Sequence, residues 1–368
     1  MGGEPTFVAA DDPDGAEWNT AALGPTKRKY AGTLIRRLAD RFATGCMLHY
    51  GQGKWYPGEQ LPRWALTCIW RKDAAPVWCD RALLASDESK NEAVTAETAR
   101  SFAQALAVRL SLDPAYVIPG YEDTWYYLWR ERRLPVNVDP LQSKLSDPLE
   151  RARLAALFET GLDKVKGYAL PITRTKEGAP QASRSGPWAL RQKHMFLLPG
   201  DSPMGYRLPL DSLPWAKPED HVQVTPPDPM EELPPLPARA ASQVQAKPKT
   251  KPQLQPAVTT AAPADAPPAP VAQPVVAPVP PAGVSDPSVV RTALCVEPRD
   301  GILHVFMPPA ERAEHYLDLI AAIEDTAAKL KQPVMLEGYL PPRDPRLKTF
   351  SVTPDPGVIE VNIHPSES

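Results

Sequence analysis

Across residues 27–43 apolar side chains recur at Leu34, Ile35, Leu38 and Phe42, while Arg36, Arg37 and Arg41 take the intervening positions. That spacing predicts an amphipathic helix with one stripe buried. The same period through Ala99, Phe102, Ala103, Leu106 and Leu110 predicts a helix over 95–110, and a third is expected over 147–159 behind Asp147-Pro148. Between the first two, ALTCIW (65–70) and PVWC (76–79) read as arms of a short hairpin across RKDAA. Toward the C-terminus come a strand over 301–307, a helix over 311–331, and strands over 333–339 and 357–363. The helix is expected to bury Leu317, Ile320, Ile323 and Leu330.

The pattern breaks once. Residues 221–290 hold 18 prolines, one glycine and no aromatic residue, whereas all 9 tryptophans lie at or before Trp215. Such a stretch has little to bury and favours extended polyproline-like chain. The expected organisation is therefore a first part at 1–220, a Pro/Ala-rich disordered linker at 221–290 and a second part at 291–368. The last part is near the lower size limit for its own core and is expected to pack on the first. Helices alternating with strands of this kind make an α+β fold.

Composition narrows the function classes. The chain has 368 residues, 43% of them hydrophobic, with a net charge of −3 and a pI near 6.1. No global field draws it to nucleic acid or to anionic lipid. The acidic start MGGEPTFVAADDPDG lacks the apolar core of a secretory signal, and no apolar run reaches membrane-spanning length. Cys46, Cys68, Cys79 and Cys295 form no C-x-x-C pair, which fits reduced thiols and a cytoplasmic location.

The candidate chemistry is concentrated in GVIEVNIHP (357–365). A period of two sends Ile359, Val361 and Ile363 to one face and Val358, Glu360, Asn362 and His364 to the other. Carboxylate, amide and imidazole in register suit Mg²⁺, Mn²⁺ or a metal-bound phosphate. The wet face of a half-exposed sheet would read the same way. Glu337 and His304 lie on neighbouring strands that are expected to bring them to the same wall, although a lone strand histidine is more often structural. Glu4 follows Gly2-Gly3, where the backbone can approach a ligand. Lys54, in HYGQGKWYPGEQLPRW (49–64), and Arg207, among the turns of 183–215, offer cations to an anionic substrate. G-x-S-x-G, H-E-x-x-H, G-x-G-x-x-G and the Walker A pattern do not occur.

MGGEPTFV, EWNTAALGPTKR, LHYGQGKWYPGEQLPRWAL, LLPGDSPMGYRLPLDSLPW, VMLEGYLPPRDPRL and VTPDPGVIEVNIHP together resemble the DUF2126 family. Those amidoligases often follow a transglutaminase-like domain in a long bacterial chain. The resemblance implies a glutamine synthetase-like antiparallel sheet with flanking helices, and ATP with Mg²⁺ or Mn²⁺ as cofactors. It also implies an acyl phosphate attacked by an amine, with small-molecule or peptide carboxylates and amines as substrates. Carried onto this sequence, Glu4, Glu360 and Asn362 become the metal ligands. Lys54, Arg207, Glu337 and His364 are weaker candidates for nucleotide or substrate, and the catalytic group itself stays unassigned. Family members are expected to continue into a Gly- and His-rich segment, so the chain reads as a front portion. It would then need a second chain for the remainder. A non-catalytic binding or assembly subunit is the alternative, and a transglutaminase-like hydrolase relying on Cys46, Cys68 or Cys79 is another.

Overall fold

The computed structural model describes residues 5–57, 62–132, 157, 159, 161–174, 183–190, 194–217, 219, 232–239, 279–281 and 283–363. The helix expected over 147–159 lies outside them apart from Leu157 and Glu159. Helix α1 (Pro25–Phe42) opens with proline in its first turn behind an extended Gly24, where the missing N–H costs nothing. Its buried row is Lys27, Ala31, Ile35 and Ala39. The row runs on to buried Ala43, so Phe42, expected inward, is 62% exposed. Helix α2 (Ala96–Arg109) starts at a Thr95/Thr98 capping box and buries Ala99, Phe102, Ala103 and Leu106 as its periodicity predicts. A short helix α3 (Thr124–Glu131) follows. Helix α4 (Ala313–Leu330) ends on Lys331 in the left-handed conformation and buries Tyr316, Leu319, Ile320, Ile323 and Ala327. Leu330, at its frayed end, is 39% exposed rather than buried.

The strands are β1 (Thr6–Phe7), β2 (Met47–Gln52), β3 (Trp64–Arg71), β4 (Ile118–Glu122), β5 (Val165–Pro171), β6 (Thr173–Arg174), β7 (Ser183–Arg184), β8 (Met195–Leu197), β9 (Ala293–Arg299), β10 (Ile302–Met307), β11 (Val334–Gly338), β12 (Leu347–Asp355) and β13 (Val358–Ile363). Among the described residues, all but β6 and β7 form one 11-stranded sheet in the order β1-β13-β12-β3-β2-β11-β10-β9-β5-β4-β8. The expected antiparallel sheet is thus mostly so, with parallel pairs at β10–β11, β11–β2 and β4–β8. The cause at β10–β11 is α4, a crossover that returns the chain in the same direction.

The hairpin expected at 65–79 does not form. Val77 and Trp78 both donate their N–H to Gly45 O, at 2.7 and 3.1 Å. Cys79 and Asp80 donate theirs to the Glu324 carboxylate, at 2.7 Å each. With those donors spent there is no ladder, and β3 pairs with β2 and β12 instead.

Strands from the two ends of the chain alternate in the sheet: β13 lies between β1 and β12, and β11 between β2 and β10. On one face, α2 and α4 pack over Met47, Ile69, Val296, Val305 and Leu336. On the other, α1 packs over Leu48, Leu66, Cys68, Val352, Ile359 and Val361. Within the expected linker, residues 232–239 lie against the body. Arg71 donates to Leu236 O and Pro237 O at 2.9 and 2.7 Å, and Arg346 to Pro234 O at 2.6 Å. Arg239 pairs with Glu324 and, at 2.8 Å, with Asp325. No helix among the described residues is long and apolar enough to cross a membrane.

Candidate functional site

One row of paired residues crosses the sheet on the α2/α4 face. It runs Tyr168, Val296, Val305, Leu336, His49, Thr67, Ser351, Asn362. Half of it is apolar, under the two helices, and at His49 it turns polar. Thr67 and Ser351 share a hydroxyl hydrogen bond of 2.9 Å. Asn362 Nδ2 donates to Thr353 Oγ1 at 2.8 Å, and Thr353 donates to Glu360 Oε2 at 3.5 Å. Thr6 of β1 sits opposite Glu360. Glu360 and Asn362 are half-buried on this polar wall, while Ile359 and Val361 are buried against α1. The alternation read from the sequence is therefore present.

His49 is the member of the wall that sequence reasoning missed. It is 1% exposed, and neither ring nitrogen makes a hydrogen bond of good geometry among the described residues, the nearest groups being the Glu337 and Gly338 backbone. Burial pushes its pKa down to about 4, since a charged imidazole would lose its hydration. Gly51 makes room for it: a Cβ there would come within 2.8 Å of His49 Cε1. The signal available was the alternation Met47, His49, Gly51, hidden in a stretch that reads as a glycine-rich turn.

The other expected site residues are dispersed. Glu4 and His364 lie outside the described residues. Pro5 O accepts the N–H of Val361 at 3.0 Å, which holds the start of the described chain beside β13. Lys54 is exposed beyond β2, its carbonyl accepting the N–H of Arg63 at 3.0 Å. Arg207 is buried and engaged. It forks onto Glu122 and donates from Nε to Leu198 O at 2.7 Å, so its charge is spent inside the fold. Among the described residues no group of three or more His, Cys, Asp or Glu side chains could hold a metal ion. Glu360 and Asn362 supply one carboxylate and one amide oxygen of the oxygen shell a hard cation needs.

Glu337 and His304 do come together, but not with Glu360. Glu337 follows Leu336, whose side chain shares the row of His49 and Asn362, so alternation turns Glu337 to the α1 face. This corrects the expected single wall. There Arg299 Nη2 donates to Glu337 Oε2 at 2.5 Å and Nη1 to Glu297 Oε2 at 2.9 Å. His304 Nδ1 lies 2.9 Å from Arg299 Nη2 and 3.2 Å from Glu337 Oε2. Burial raises the Glu297 carboxyl above its usual range, a cost the Arg299 charge only partly offsets. Burial pushes Glu337 the same way, but the His304 hydrogen bond and Arg299 outweigh it and hold that carboxyl below its usual range. Arg299, His304 and Glu337 floor a cavity of about 530 Å³ whose walls include Arg28 of α1, Asp87, Lys90, Pro203 and Tyr206.

Cys46, Cys68 and Cys295 are buried and Cys79 is exposed. Cys79 Sγ faces Arg239 Nη1 at 3.0 Å, and no cysteine pairs with a histidine among the described residues.

The family model described as "Putative amidoligase enzyme (DUF2126)" matches residues 1–368. No curated protein and no solved structure matches the chain.

Proposed function

Because the chain belongs to the DUF2126 family, we propose that it is an ATP-dependent carboxylate–amine ligase working on the polar wall of the α2/α4 face. In the reaction a carboxylate oxygen attacks the γ-phosphorus of ATP and ADP leaves. An amine then attacks the acyl phosphate carbon, a proton goes to solvent, and phosphate departs as the amide forms. Mg²⁺ or Mn²⁺, when bound, neutralises the phosphate oxygens as they shift charge.

This chain's own residues supply the support. Glu360 is the anionic group of the wall and Asn362 its amide, with Glu4 as the third proposed metal ligand. Thr353 orients both, donating to Glu360 and accepting from Asn362. Lys54 and His364 are the proposed contacts to nucleotide or substrate. Arg207 and Glu337 are left out of that set by the engagements described above.

The observation that carries the reading is the change of character along one row, from apolar at Leu336 to polar from His49 to Asn362. A face meant only for packing would not bury an imidazole without a well-made hydrogen bond beside hydroxyls and an amide. The free cysteines favour a cytoplasmic setting. A transglutaminase-like domain, and a second chain that extends the wall, are the proposed partners.

Calorimetric titration of MgATP into the full chain and into its Glu360→Gln variant tests the proposal. Binding to the first and loss in the second is the expected result, with phosphate release once carboxylate and amine are added. No binding to a folded chain would leave the non-catalytic assembly role in its place.

A further inference from the structure

We propose that the cavity on the α1 face binds a small zwitterion of the free α-amino-acid class, its ammonium group against His304 and Glu337 and its carboxylate against Arg28 and Lys90. The inference does not depend on the ligase reading, since it uses none of the residues of the polar wall.

The space is suitable. About 530 Å³ falls within the roughly 300–1,000 Å³ of small-molecule sites. Its floor is made by β9, β10, β11 and β2, which contribute Arg299, His304, Glu337 and Tyr50. Tyr206, Ile302 and Met335 add an apolar lining for a ligand's side chain.

The floor asks for a donor. His304 is 7% exposed, and its Nδ1 has both Arg299 Nη2 and Glu337 Oε2 within reach, at 2.9 and 3.2 Å. A guanidinium only donates and a carboxylate only accepts, so Nδ1 serves one of them at a time. We assign the proton to Nδ1, which then donates to Glu337 and leaves Nε2 as a bare acceptor. Nε2 has no protein partner among the described residues, although the side chain lines the cavity. Behind it, Glu297 and Glu337 face a single guanidinium, Arg299. An ammonium group would satisfy Nε2 and offset that excess negative charge.

Arg28 and Lys90, which line the same cavity, ask for an acceptor. Arg28 spends Nε and Nη2 on Asp87, at 2.8 and 3.3 Å, and is held over the Tyr50 ring at 5.3 Å. Its Nη1 is not committed to that pair. Lys90 lines the same cavity and makes no ion pair among the described residues. One lysine, one guanidinium nitrogen left over from the Asp87 pair and an unpartnered imidazole acceptor line the same cavity, and together they match a molecule bearing a carboxylate and an amine.

The test titrates the common free L-α-amino acids into the full chain by calorimetry, each beside its N-acetyl and its α-carboxamide derivative. At least one free amino acid is expected to bind, with either blocked form at least about tenfold weaker, the loss of one charge-assisted hydrogen-bonding group. Lys90→Met, at the exposed rim, is expected to weaken the free amino acid by about the same factor while leaving its carboxamide unaffected. Glu360→Gln, which removes nucleotide binding on the other face, is expected to leave amino-acid affinity as it is. Absence of binding by every free amino acid at millimolar concentration overturns the proposal, as does equal binding of the N-acetyl derivatives. Loss of binding in Glu360→Gln would place the ligand on the other face and overturn it too.

Discussion

Glu337 and Glu360 stand on opposite faces of one sheet, a parity fixed by the unbroken pairing from Leu336 through His49, Thr67 and Ser351 to Asn362. Two carboxylates that the primary structure offers as equivalents are therefore separated both by the sheet itself and by the three strands β12, β3 and β2 between them. Their substitutions are expected to be separable as well. Glu360→Gln should weaken MgATP binding by more than about tenfold and Glu337→Gln by less than about twofold, as for independent sites. Calorimetry on both variants decides it. Loss of nucleotide binding in Glu337→Gln would show that the two faces are coupled.

His49 makes stability depend on pH. Its folded pKa of about 4 lies below the ordinary value of 6.5, so the unfolded chain takes up a proton more readily. The stabilisation is complete above about pH 6.5 and is lost as pH falls from there through about 4, a change on the order of 3 kcal/mol. His49→Leu should flatten that part of the profile. Urea unfolding at neutral pH and near pH 4.5 measures it, and an unchanged slope in the variant would refute the assignment.

Arg207→Met should unfold the chain more easily rather than impair nucleotide binding. It leaves buried Glu122 facing only Lys166 at 3.8 Å, and stranding a buried charge costs about 3–5 kcal/mol. Thermal denaturation together with MgATP titration distinguishes the roles. A stable Arg207→Met protein that binds nucleotide poorly would make this arginine an anion ligand after all.

Glu324→Ala should destabilise by about 3 kcal/mol, because it orphans the N–H groups of Cys79 and Asp80 and leaves Arg239 with Asp325 alone. Arg239→Ala leaves Glu324 its two N–H donors and should destabilise by less than Glu324→Ala does. Its effect is instead expected on protease cleavage near residues 232–239, followed by mass spectrometry. Equal stability of the two variants would show that the N–H contacts contribute little.

Much of this architecture is legible in the chain. The periods of α1, α2 and α4 were readable because each buries one stripe, and β10, β11 and β13 because apolar residues run through them in short bounded segments. Individual contacts were less so. Phe42 and Ala43 are neighbours in sequence, and only the drift of an i,i+4 row decides which is buried. PVWC has strand composition, yet Gly45 O takes the N–H groups of Val77 and Trp78, and Glu324, far along the chain, takes that of Cys79. β12 and β4 carry Pro354 and Pro119, which argue against strands until their ladder partners are known. At the sites, E-x-N alternation was visible, whereas His49 looked like part of a turn. The face of Glu337 depended on a single bridge to β2.

The interleaving of early and late strands also governs how the molecule is made. Lys27 Nζ donates to Asp355 O across 328 positions of sequence, and β1 has no ladder until β13 is synthesised. A nascent chain emerging from the ribosome must carry β1, β2 and β3 with unfilled edges until β11, β12 and β13 appear. High contact order of this kind makes folding slow and those edges vulnerable to association. Connector length hardly enters, since doubling a loop adds only about 0.6 kcal/mol of closure entropy. Two polypeptides divided between residues 240 and 278 would have the same sheet to build, with a bimolecular encounter in place of loop closure.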